Sequence, residues 1–103
     1  MTERLSKLLQ MLDAKPGDTF LLYAAAMEYR KGNDLEKALE FLDRTLQFDP
    51  NYAYAYFQKG QILEMTAEND RARQAYATGI DAARRSGDAH AASELQGALD
   101  MLG

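Results

Sequence analysis

The sequence predicts an all-α fold of antiparallel helix-turn-helix repeats, and three observations carry that expectation. Pro16 and Pro50 stand 34 residues apart. Residues of matching character recur at the same interval, with Leu8, Leu42 and Tyr76 as one series and Leu12, Leu46 and Ile80 as another. Strand-forming residues are scarce: the chain has no valine, and isoleucine occurs only at Ile62 and Ile80. A fixed period of this length marks stacked units, each burying an apolar face on a neighbour because it cannot bury that face within itself.

Local chemistry divides the chain into six helices. Thr2 to about Ala14 carries Leu5, Leu8, Leu9 and Leu12, an apolar stripe at helical spacing. Lys15-Pro16-Gly17-Asp18 ends it, since proline has no N–H to donate and glycine favours a turn. Asp18 or Thr19 caps the second helix, which runs to about Lys31. Gly32-Asn33-Asp34 then offers a residue tolerant of positive φ followed by a capping carboxylate. The third helix spans Leu35 to Phe48, and Asp49-Pro50-Asn51 turns the chain, with Asn51 expected to cap the fourth helix. That helix runs from Tyr52 to Met65 or Thr66. The fifth runs from Asn69 or Asp70 to Arg85. Ser86-Gly87-Asp88 closes that one and caps a last helix through Leu102.

Composition narrows the function classes. The 103 residues are 47% hydrophobic and 27% charged, values expected of one folded, soluble domain. No apolar run approaches the roughly 20 residues that span a bilayer, and the N-terminus does not read as a secretory signal. No cysteine is present, so there is neither a disulfide framework nor a thiolate metal site. A cytoplasmic address is the expectation, with no membrane association. The net charge of −4 argues against nucleic-acid binding, which draws its affinity from clustered Lys and Arg. The basic pairs at Arg30-Lys31, Arg71/Arg73 and Arg84-Arg85 sit near helix ends or among acids, as on a solvated face.

The repeat units resemble the tetratricopeptide repeat family, whose pattern is W-x2-L-G-x2-Y, then A-x3-F, then P. In the first unit the matching residues are Leu22, Ala25, Ala26 and Tyr29, then Ala38 and Leu42, then Pro50. In the second they are Tyr56, Lys59, Gly60 and Leu63, then Ala72 and Tyr76. Small residues Ala26 or Gly60 against Ala38 or Ala72 are expected to let the two helix backbones approach, with Tyr29, Leu42, Leu63 and Tyr76 filling the space around them. Lys59 departs from an apolar family position. Arg84 stands where the second unit should have its proline, so the fifth helix should outrun its counterpart. The resemblance implies a short right-handed tetratricopeptide-like solenoid over a single domain, residues 1–103. Residues 1–15 form an N-terminal half-repeat helix, 19–52 the first repeat, 53–86 the second, and 88–102 a capping helix that loses the repeat register.

Catalysis is not expected. His90 is the single histidine, no cysteine exists to act as nucleophile, and no metal-ligand spacing occurs, so neither cofactor nor metal is implied. Acids such as Asp13, Asp18, Asp34 and Glu36 lie at helix ends, where the dipole accounts for them. The first helices of the repeats, the A helices, are more informative, being apolar nearly all round as a simple surface helix is not. Beyond their packing residues they carry a second stripe: Phe20, Tyr23 and Met27 on the first, and Tyr54, Phe57 and Gln61 on the next. In the family resembled, these positions look onto a concave groove. There, rigid aromatics anchor partners at about 2 kcal/mol or more each. Either these residues cover one another between neighbouring A helices, or some face a partner. Phe20, Tyr23, Met27, Arg30, Tyr54, Phe57 and Gln61 are therefore the candidate partner-binding residues, with Arg30, Lys31, Lys59 and Glu64 as a rim. Lys and Asn that grip a chaperone tail's carboxylate in one subtype are mostly replaced here by Phe20, Tyr23, Ala24, Met27 and Gln58, so that subtype is not expected. The chain reads as an adaptor for a protein or peptide segment. The alternative is a self-assembly module, a weak homo-oligomer or a subunit of a larger complex.

Overall fold

The computed structural model describes every residue, Met1–Gly103, as helices joined by short turns, without strands. The helices are α1 (Glu3–Ala14), α2 (Thr19–Lys31), α3 (Leu35–Phe48), α4 (Ala53–Met65), α5 (Asn69–Arg85) and α6 (Ala89–Leu102). They group into two compact units, Met1–Asp49 and Pro50–Gly103. In the first, α2 packs on both α1 and α3; in the second, α5 packs on α4 and α6.

Four helices start on side-chain caps, three of them, Asp18, Asp34 and Asp88, at residues the sequence marked for the role. Thr2, Asp18, Asp34 and Asp88 accept backbone N–H bonds from Leu5, Leu21, Lys37 and Ala91 at 3.0–3.1 Å. Each satisfies one of the donors a helix start leaves orphaned. Asn51 does not cap α4, whose N-cap is Tyr52, a residue that makes no side-chain capping bond. The Asn51 Oδ1 instead accepts from Arg85 Nε at 3.0 Å, 34 residues further along the chain. A tertiary partner has taken the side chain that local reasoning reserved for the helix.

Helix ends show a similar shift. Gly32 has φ −82°, and the left-handed residue of that turn is Asn33 at φ 62°. Ala67, 34 residues on, adopts the same conformation at φ 60°. Both turns close with paired bonds: Asp34 N–H reaches Tyr29 O and Asn33 N–H reaches Arg30 O, as Glu68 does to Leu63 and Ala67 to Glu64. α5 has 17 residues against 14 in α3, the extension expected where Arg84 replaces proline. This added length sets α6 later: the N-cap of α6 is Asp88, 36 residues after Tyr52, whereas Tyr52 follows Asp18 by 34. The register of the last helix is displaced by two residues, which is why the period fails to find it.

The period's apolar series line the cores. Leu8, Leu12, Leu42, Tyr76 and Ile80 are buried, Leu42 and Tyr76 completely, while Leu46 is half-buried. At Gly60, one of the small residues expected to let the helix backbones approach, the nearest side chain is the ring of Tyr76. A Cβ on Gly60 would meet the ring of Tyr76 at 2.3 Å, so this glycine makes room for an aromatic ring. The first repeat has Ala26 and Leu42 at the corresponding positions, both fully buried. Where the partner side chain grows from Leu to Tyr, the small residue shrinks from Ala to Gly, as close packing requires.

Candidate functional site

On α2, Leu21, Leu22, Ala25 and Ala26 are buried in the core of the first unit. Tyr29 leans on Phe41 of α3 with ring centroids 5.1 Å apart, and Glu28 pairs with Arg4 of α1 at 3.4 Å. These contacts leave a third side of the helix. Phe20 stands there 70% exposed, and Tyr23, Met27 and Arg30 are half-buried. The last turn ends in Arg30 and Lys31, cations placed where the helix dipole favours them.

On α4, Ala55, Gly60, Ile62 and Leu63 are buried, while Tyr54, Phe57 and Gln61 are half-buried at i, i+3, i+7 spacing. Phe57 and Gln61 line an open cleft of about 370 Å³ together with Glu64, Tyr76, Glu94, Ala98 and Met101. The Phe57 and Tyr76 rings lie 6.2 Å apart, tilted by 53°, within the range of favourable aromatic pairing. Tyr76 is buried in the core, yet its hydroxyl reaches the edge of the cleft and donates to the Glu64 carboxylate. Met101 is 91% exposed.

Tyr54 stands at the N-terminal end of the same stripe. Burial raises its phenol above the ordinary value of 10.0, and the carboxylates of Glu94 and Asp88 raise it further by disfavouring a second negative charge. Asp88 caps α6, and Glu94 meets His90 Nε2 at 2.6 Å, an ion pair when the imidazole is protonated. Tyr54, Phe57 and Gln61 are thus associated with the acidic α6 side of the second unit.

The expected rim divides. Glu64 lies on the cleft with Phe57, but Lys59 does not; it lines a different cleft with Tyr56, Leu63, Arg71, Gln74, Ala75 and Thr78. Residues 56, 59 and 63 occupy one side of α4 and residues 57, 61 and 64 another, as 3.6 residues per turn dictates. Three cleft residues, Glu94, Ala98 and Met101, were not among the residues expected from sequence. They form their own i, i+4, i+7 stripe on α6, beside a second, packing stripe of Ala91, Leu95, Leu99 and Leu102. Of that packing stripe, Ala91 and Leu95 are buried and Leu99 and Leu102 half-buried. No three His, Cys, Asp or Glu side chains come together in a way that could hold a metal ion, and no helix is long and apolar enough to cross a membrane.

Comparison with known proteins agrees with the repeat geometry. Residues 26–66 match a family model described as TPR repeat. A TPR repeat-containing protein of Pseudomonas aeruginosa is 32% identical over 96 residues, covering 92% of this chain and 88% of that protein. The crystal structure of a tetratricopeptide repeat domain protein from Salinibacter ruber superposes with a TM-score of 0.77 at 34% identity, over 82% of this chain and 94% of that one. The TPR2B domain of yeast Sti1, solved as a complex with pHsp70, superposes at 0.88 over 95% of this chain and 78% of that one. At 16% identity this likeness is one of fold. Some relatives are far longer: the chain spans 11% of the human interferon-induced protein with tetratricopeptide repeats 2 that it matches.

Proposed function

Because the chain belongs to the tetratricopeptide repeat family, we propose that it binds a peptide segment of a partner protein through the aromatic side chains its A helices leave outside their cores. The family's fold supports a protein–protein interaction module in general, and its members are in the main non-enzymatic scaffolds. The residues assigned to the role are Phe20, Tyr23, Met27 and Arg30 on α2 and Tyr54, Phe57 and Gln61 on α4. One observation carries the reading: Phe57 and Gln61 line an open cleft, with an aromatic ring available at its wall. A partly exposed ring backed by a buried one is a rigid anchor that loses little conformational entropy on binding. Met27 adds an adaptable apolar contact.

Capture of partners from a lysate by the wild type and by a Tyr23→Ala/Phe57→Ala variant tests this. The variant should release the partner faster, because lost apolar anchors act chiefly on dissociation. Charge reversal at Arg30 and Lys31 should instead alter the association rate. A partner retained equally well by the double variant would show that these aromatics do not form its site. The second reading, self-assembly, is favoured by the exposure of Phe20 and Met101. It predicts a sedimentation mass that grows with concentration beyond that of one chain.

A further inference from the structure

The cleft of the second unit combines an apolar wall with carboxylates of a single sign. Phe57, Tyr76, Ala98 and Met101 supply the wall; Glu64 and Glu94 supply the charge, and no Lys or Arg lines it. No Lys or Arg follows Arg85 anywhere in the chain, so α6 contributes only acids and His90. Three of the cations of α5 are already paired. Arg71 pairs with Glu68 at 2.8 Å, Arg73 pairs with Asp70 at 2.7 Å and donates through Nε to Gly103 O at 3.2 Å just past the end of α6, and Arg85 bonds Asn51. Lys59 lines the other cleft.

We infer that this cleft takes a peptide segment in which an apolar side chain is flanked by lysine or arginine. The apolar residue would seat against Phe57, Ala98 and Met101, and the flanking cations would lie against Glu64 and Glu94. An acidic segment would place like charges together and is disfavoured. Glu64 is oriented toward this role by the Tyr76 hydroxyl, which donates to it. The inference rests on the peptide-binding reading above and specifies the chemistry of the segment.

Fluorescence anisotropy of the whole chain with three short labelled probes tests it: one alternating leucine and lysine, one alternating leucine and glutamate, and one alternating serine and lysine. The leucine–lysine probe should bind about tenfold more tightly than either other probe and weaken as salt screens the carboxylates. Glu64→Gln/Glu94→Gln should cost about tenfold, while Glu36→Gln/Glu40→Gln, the same charge change in the first unit, should cost nothing. Should the first pair lower the melting temperature, Glu94→Gln alone replaces it, the side chain being 40% exposed. An equal loss in both pairs, or equal binding of the serine–lysine probe, reduces the effect to net charge and overturns the inference. If the leucine–glutamate probe binds as tightly and Phe57→Ala weakens both leucine probes, the cationic preference falls and the peptide-binding reading stands. If no probe binds, or Phe57→Ala changes nothing, this cleft falls under both readings.

Discussion

Gly60→Ala adds one methyl group, and its effect can be worked from the packing around Tyr76. The new Cβ would stand 2.3, 2.6 and 2.6 Å from three carbons of that ring, where about 3.5–4.0 Å is the favourable separation between carbons. The ring has little room to withdraw: it is fully buried, and its hydroxyl is held by Glu64. Overpacking of this kind costs about 1–3 kcal/mol, against a gain of about 1 kcal/mol from replacing glycine inside a helix. With a contact this short, the upper part of the range applies, leaving a net loss of about 2 kcal/mol. That corresponds to a fall in melting temperature of roughly 10 °C, read from the helical circular dichroism signal. Gly97→Ala serves as the control, because nothing lies within 4 Å of a Cβ there and the helix gain stands alone, raising stability by about 0.5–1 kcal/mol. Tyr76→Leu added to Gly60→Ala recreates the Ala26 and Leu42 combination of the first repeat and should recover part of the loss. A melting temperature for Gly60→Ala equal to or above the wild type would refute the claim that this glycine exists to admit the ring.

Local features give three further expected outcomes. Ala67→Gly should stabilise the chain by about 0.5–1 kcal/mol in a thermal melt, since alanine at φ 60° bears a steric penalty that exceeds glycine's added freedom when unfolded. Asp18→Ala removes the bond to the Leu21 N–H and should cost about 1 kcal/mol in urea unfolding, whereas Asp18→Asn should cost little. The Tyr54 ring, followed by NMR, should titrate above the ordinary tyrosine value, and Glu94→Gln should bring it down. Its sign comes from linkage: the folded state favours the neutral phenol, so this contribution is present below the unfolded value and lost as pH rises through the folded one.

Much of this molecule was legible in local sequence. The capping bonds of Asp18, Asp34 and Asp88 and the turns at Pro16 and Pro50 involve partners a few residues away. The 34-residue series named buried positions, the half-buried Leu46 excepted, because each repeat solves the same packing problem. Longer-range choices were not legible. Asn51 could cap a helix or accept from Arg85, and only the packing of α5 decided for Arg85. The longer α5 displaced α6 by two residues and hid its relation to the repeat.

The candidate site shows the same division. Period and residue type marked Phe57 and Gln61 as surplus to the core, and helical geometry put both on one side of α4. Which neighbour would face that side depended on α6, whose Glu94, Ala98 and Met101 complete the cleft from 33 to 44 residues downstream. A helix that is apolar nearly all round offers several sides to its surroundings with similar hydrophobic gain. Sequence periodicity therefore specified the helices and their shared core, while tertiary packing chose which remaining side stayed open and placed carboxylates beside it.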